Sequence, residues 1–159
     1  MRCDYENSVR FRRIYYDGTK QLAEEAVSYE KYSTNEVNYL NGQLKFKDTL
    51  NYNWERIGNF KHYYDNGNLK EEGVYEDGLR EGYWKFFYKN GQLHSEGSFV
   101  KGKEEGIVKC YCENGTLKVE KSFKWGVYNG WFKYYNCEGK LNLKENYVMG
   151  KRKSREKIK

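Results

Sequence analysis

Gly82–Gly102 reads GYWKFFYKNGQLHSEGSFVKG, and it is one complete unit of a repeat. An aromatic run (Trp84, Phe86, Phe87, Tyr88) leads into Asn90-Gly91, and a second alternating run (Leu93, Ser95, Gly97, Phe99) leaves it. Asn-Gly between alternating runs predicts a β-hairpin with a two-residue turn, both residues at φ > 0. The turn glycine recurs at Gly18, Gly42, Gly67, Gly91, Gly115 and Gly139, in steps of 24, 25, 24, 24 and 24. A leading glycine recurs at Gly58, Gly82, Gly106 and Gly130, and a trailing one at Gly78, Gly102, Gly126 and Gly150. Three glycine columns on one period predict tandem hairpins stacked side by side.

Composition agrees with an array better than with an ordinary globule. Only 38% of the 159 residues are hydrophobic and mean hydropathy is −1.10, yet 18% are aromatic. A repeat array tolerates this because each unit buries surface only against its neighbours. The absence of proline agrees with an unbroken ladder. Residues 58–150 read as four regular units and residues 1–57 as two worn ones that cap the array. In the first worn unit Leu22–Val27 reads as a strand, with a short helix as the alternative because Leu22, Ala26 and Tyr29 share a helical face.

Residues 151–159 read as a basic tail or a last edge strand, since lysine on an edge deters pairing with other chains. Lys151, Arg152, Lys153, Arg155, Lys157 and Lys159 stand against Glu156 alone, so this segment carries most of the net charge of +6. Contact with an anionic surface therefore falls to these six residues: a membrane is the candidate, and nucleic acid is disfavoured.

With a two-residue turn at Gly91, Gly82 faces Phe99, Trp84 faces Gly97, Phe86 faces Ser95 and Tyr88 faces Leu93. Glycine opposite an aromatic twice over predicts rings lying over bare backbone. The opposite face carries Lys61, Lys85, Lys109 and Lys133. The first three face Glu72, Glu96 and Glu120, so the column reads as cross-strand pairing rather than anion binding. A flat sheet of these hairpins would run on the order of 60 Å at ~4.8 Å per strand. Its aromatic face must then be hidden by curling, by a second layer or by a partner. Phe60, Tyr64, Trp84, Phe86, Tyr88, Phe132 and Tyr134 are the partner-binding candidates, and two copies stacking these faces as a homodimer is a further possibility.

Catalytic, cofactor and metal sites are not indicated. Nucleophile and phosphate-loop motifs are missing, and His62 and His94 lie in different units. The four cysteines read as unpaired fillers, since units two strands apart sit roughly 10 Å from each other, beyond disulfide reach. Unpaired cysteines favour the cytoplasm. Secretion, or a lipid anchor at Cys3, stays open, although MRCDYENSVRF carries no signal-peptide core.

The unit resembles the MORN-repeat variant family, whose pattern runs G-x-W-x-x-Y-Y-x-N-G-x-L-x-x-E-G-x-Y-x-x-G. Gly82, Trp84, Phe87, Tyr88, Asn90, Gly91, Leu93, Glu96, Gly97, Phe99 and Gly102 carry the likeness. It implies an elongated single-layer antiparallel sheet, all-β, that acts as a non-enzymatic protein-binding or scaffold module. Bacterial members are often labelled antitoxin-like, and eukaryotic ones are linked to scaffolding and membrane association. Cys112 and Asn136 in the second tyrosine slot, Lys121 in the Gly97 slot and Glu138 in place of the turn asparagine depart from the pattern.

Overall fold

The structure is a computed structural model that describes residues 11–17, 20–27 and 32–158, with side chains described from residue 32 onward. The Gly18 turn, Cys3 and Lys159 lie outside the described residues. The chain runs as β1 (Phe11–Asp17), β2 (Lys20–Val27), β3 (Tyr32–Asn38), β4 (Leu44–Asn51) and β5 (Arg56–Tyr63). It continues as β6 (Leu69–Glu76), β7 (Leu79–Phe87), β8 (Leu93–Val100), β9 (Lys103–Tyr111) and β10 (Leu117–Lys124). The short β11 (Val127–Tyr128), then β12 (Gly130–Tyr135), β13 (Leu141–Val148) and β14 (Lys151–Lys157) complete it. All fourteen belong to one antiparallel sheet in chain order, with β11 joined only to β10. Leu22–Val27 falls in β2, so the strand reading holds there.

The register has Gly82 opposite Phe99, Trp84 opposite Gly97 and Phe86 opposite Ser95, as expected. Beyond Phe86 it shifts, and Phe87, not Tyr88, faces Leu93. The cause is the turn. Tyr88 N–H donates to Gln92 O at 2.8 Å and Gly91 N–H to Tyr88 O at 2.9 Å. That is a three-residue loop, a type I turn closed by a left-handed residue. Gly91 alone takes positive φ, at 88°, and Asn90 does not. Asparagine is there for its side chain: Asn90 Oδ1 accepts Gln92 N–H at 2.9 Å, a local bond that Asn offers a turn backbone. The two-residue turn with both residues at positive φ sits at the opposite edge instead. Asp77-Gly78, Lys101-Gly102, Trp125-Gly126 and Met149-Gly150 all adopt it.

Successive turns bond to one another on both edges. Asn41, Asn66 and Asn114 each donate Nδ2–H to a carbonyl in the next hairpin tip, at 2.8–2.9 Å. At the other edge Gly78, Gly102, Gly126 and Gly150 donate N–H to a carbonyl two strands back, Arg56, Arg80, Glu104 and Tyr128, at 2.8–2.9 Å. A flat sheet would hold strands two apart roughly 10 Å from each other, so these bonds require tight coiling. Curling is therefore what hides the aromatic face. Phe60, Trp84, Phe99, Val108, Cys112, Phe123 and Phe132 form the buried apolar interior of the single layer.

Candidate interaction surfaces

The seven aromatic residues expected to meet a partner divide among the core, the tip ladder and a cluster around Glu145, with Phe86 half-buried and stacked on Trp84 at 6.0 Å between ring centroids. Phe60, Trp84 and Phe132 are buried, Trp84 at 0% exposure, so they hold the sheet rather than present a surface. Each follows a leading glycine at positive φ, where the strand kinks: the register against β6 skips two residues between Glu72 and Val74. The kink throws the Trp84 ring back over Gly73, where any Cβ would collide with it, rather than over Gly97 opposite. Gly97 lies instead under Val108, whose Cγ2 would stand 2.7 Å from an added Cβ. Gly82 has nothing within 4 Å of a Cβ. Its glycine answers to backbone conformation, not to a covering ring. The Trp84 indole donates to Val74 O at 3.1 Å, and the Arg80 guanidinium lies 4.6 Å above the ring.

Tyr64 and Tyr88 have structural duties too. Tyr39 OH donates to Tyr63 O, Tyr64 OH to Phe87 O and Tyr88 OH to Tyr111 O, at 2.7–2.8 Å. Each hydroxyl ties one hairpin tip to the next. Cys112 occupies the next slot and cannot make this bond. It forms a disulfide with Cys137 in the following tip, Cα–Cα 5.9 Å. The expectation of unpaired cysteines is thus corrected for these two, and with it the ground for favouring the cytoplasm. The roughly 10 Å spacing assumed a flat sheet; coiling and tip-to-tip bonding bring these positions within reach. Cys110 keeps a free thiol, whose pKa burial raises.

Tyr134 belongs to a cluster around Glu145, which is buried at 6% exposure. Glu145 accepts bonds from Tyr134 OH at 3.2 Å, Tyr147 OH at 2.9 Å and Arg152 Nη1 at 2.9 Å, with Arg155 Nε at 3.5 Å. Burial would raise the Glu145 pKa, but the bonds from Tyr147, Arg152 and Tyr134 outweigh it and hold the carboxyl below its ordinary range. Burial and Glu145 push Tyr134 up to about 12. Glu145 occupies the column of Gly73 and Gly97, and from there it anchors β14. Arg152 and Arg155 are therefore partly committed to it, while Lys144 Nζ pairs with Glu156 at 3.6 Å. Lys151, Lys153 and Lys157 on the exposed β14 form no ion pair among the described residues.

On the outer face the lysine column keeps the expected register, but among the described residues only Lys61 forms the expected ion pair; Glu96 instead accepts the Tyr111 hydroxyl at 2.6 Å and Glu120 pairs with Lys133. Lys61 faces Glu72 with Nζ at 3.7 Å, Lys85 faces Glu96 and Lys109 faces Glu120. Lys133 faces Lys144, yet from its other side it reaches Glu120 at 3.0 Å. Beside this column runs a row the sequence reading passed over. Tyr83, Ile107 and Trp131 hold one slot in successive units and are 52%, 58% and 47% exposed. The repeat period would have found it, since the three are 24 residues apart on the strand face opposite the core.

With the geometry in place, comparison with known families decides one point. Residues 56–77, 80–101 and 104–124 match the family model of the MORN repeat variant. These three units are similar to the MORN repeat variant, over less than half of the chain. MORN repeats are commonly protein- or membrane-binding modules and are typically non-catalytic. The matched units stop before the segment that carries Asn136, Glu138 and Glu145, where the pattern has decayed. No curated protein matches the chain.

Proposed function

We propose that the protein is a non-enzymatic interaction module whose outer MORN surface binds another protein. The exposed Tyr83–Ile107–Trp131 row carries this reading. Apolar side chains recur at one slot of the ladder, with Ser98 facing Tyr83 and Ser122 facing Ile107 on the strands between, and aromatic residues are enriched where interfaces gain their energy. An antitoxin-like role is the special case in which the partner is a toxic protein. The Cys112–Cys137 bond suits work in an oxidising compartment.

The test is capture of a partner by the full chain and by a Tyr83→Ser, Ile107→Ser, Trp131→Ser variant. These side chains are about half exposed, so the variant keeps its fold by circular dichroism while retention of the partner falls. Retention equal to that of the wild type removes the proposal.

A second reading rests on β14, where all seven residues are exposed and five are Lys or Arg. Each basic residue near an anionic bilayer contributes about 1 kcal/mol. Binding to vesicles containing phosphatidylserine should fall steeply with salt and vanish when residues 151–159 are deleted. Salt-insensitive binding counts against it.

A further inference from the structure

The inner face holds one cleft that the repeat pattern would have filled. It has a volume of about 590 Å³ and lies over the unit that begins at Glu104. In the preceding unit the equivalent space is occupied: Trp84 covers Gly73, and Arg80 lies over Trp84, Phe86 and Phe99. One period on, Arg80 becomes Glu104, Trp84 becomes Val108 and Phe86 becomes Cys110. Val108 covers Gly97, its Cγ2 2.7 Å from an added Cβ, but a valine fills less of the interior than an indole. The missing indole is the cleft.

Its charged lining is also unfinished. The Arg80 Nε–H is buried without a hydrogen-bond partner, although Nη2 reaches Glu71 at 2.8 Å. Lys121 occupies the column of Gly73, Gly97 and Glu145. Glu145 in that column is met by two tyrosines and two arginines, whereas the Lys121 ammonium meets no hydrogen-bond or ion-pair partner among the described residues. The Glu104 carboxyl has none either, and it feels Lys121 only through space. Arg80, Lys103 and Lys121 bring positive charge and Glu96 and Glu104 negative charge to a cleft walled by Phe86, Phe99 and Val108. Glu96 already accepts the Tyr111 hydroxyl at 2.6 Å, which leaves Glu104 as the carboxylate without a partner among the described residues.

We propose that this cleft binds an aromatic amino acid. The ring packs on Val108 between Phe86 and Phe99, in the space that valine leaves unfilled beside Gly97, its carboxylate accepts from Arg80 and Lys121, and its ammonium donates to Glu104. The site goes beyond protein binding by the outer row, from which it is separated by the thickness of the sheet. A hydrogen bond to a charged group and a buried ring each add enough to separate the complete ligand from analogues that lack one part.

The test is titration of the full chain with L-phenylalanine, phenylacetate and phenethylamine, followed through the backbone amide resonances of Gly97, Val108 and Lys121. L-phenylalanine should give saturable shifts confined to these strands, with phenylacetate and phenethylamine weaker by about tenfold each. Val108→Trp should abolish the response while unfolding at or above the wild-type temperature, because it supplies the ring. Lys121→Gln, on a half-buried side chain without a polar partner among the described residues, should keep the fold and weaken L-phenylalanine by about tenfold, which keeps the test decisive if Val108→Trp misfolds. Absence of saturable shifts, equal binding of phenethylamine, or binding untouched by Lys121→Gln would each overturn the proposal.

Discussion

Residues 80–103 and 104–127 share a backbone and differ in almost everything it encloses. Both begin at a kinked strand with a positive-φ glycine, reach a three-residue loop and leave by a two-residue turn with both residues at positive φ. In the first, a fully buried indole covers a glycine and a tyrosine hydroxyl ties the tip onward. In the second, valine replaces the indole, lysine stands in the glycine column and a disulfide replaces the hydroxyl. The difference teaches that turn geometry and tip-to-tip bonds carry the repeat. Interior side chains are replaceable as long as the backbone bonds between turns survive. A covalent link stands where one noncovalent rung is missing.

The largest asymmetry should appear in the core. Trp84→Ala should cost about 3–5 kcal/mol, as large-to-small core changes do, whereas Val108→Ala removes only two methyl groups at about 0.8 kcal/mol each plus a small cavity term. Urea unfolding of both variants checks this. Equal losses would mean the two units bury comparable cores.

Next is the staple. The disulfide closes a span of 25 residues, for which loop entropy gives about 3.5 kcal/mol. Cys137→Ala should lower stability by that order and expose the amides of β12 and β13 to hydrogen exchange first. Adding Cys112→Tyr should return part of the loss by restoring the hydroxyl rung, worth about 0.5–1.5 kcal/mol. No loss on removing Cys137 would mean that the backbone bonds suffice alone.

Gly73→Ala should cost about 1–3 kcal/mol by overpacking against the Trp84 ring. Gly82→Ala meets open space but must hold φ 66°, which costs roughly 1–2 kcal/mol. Replacing Trp84 with alanine should relieve the first penalty and leave the second. A double-mutant cycle on thermal unfolding separates them.

The smallest effect concerns Glu145 and acid. Its folded pKa lies below the unfolded value, near 4.3 for glutamate. Its stabilisation is therefore complete above the unfolded pKa and fades as pH falls from there through the folded pKa. Protection of β13 and β14 amides should drop in that window, while β5 to β8 stay protected. Glu145→Gln should remove the pH dependence. Uniform loss across the sheet would show that Glu145 is not the local anchor.

Much of this was legible in residue order. The 24-residue period, the strands, the pairing of Gly82 with Phe99 and Trp84 with Gly97, and the lysine–glutamate column follow from local rules: alternation, turn glycines and cross-strand charge. Asn-Gly alone points to a two-residue turn at the wrong edge, because it favours a tight turn only when loop length permits it. Here the loop is one residue longer, and Asn90 serves as a hydrogen-bonding side chain. The disulfide and the fate of the aromatic face were out of reach for a different reason. Both depend on how strongly the sheet coils, and coiling is the sum of small twists set by every kink and turn bond together. Sequence by itself determined which residues share a face and which strands are neighbours, because period and turn chemistry are local. Tertiary structure alone decided that the face turns inward, that Cys112 reaches Cys137, that Glu145 gathers its partners and that a cleft opens where Val108 stands for an indole. Those outcomes are distances between units, and only the curvature of the whole sheet sets them.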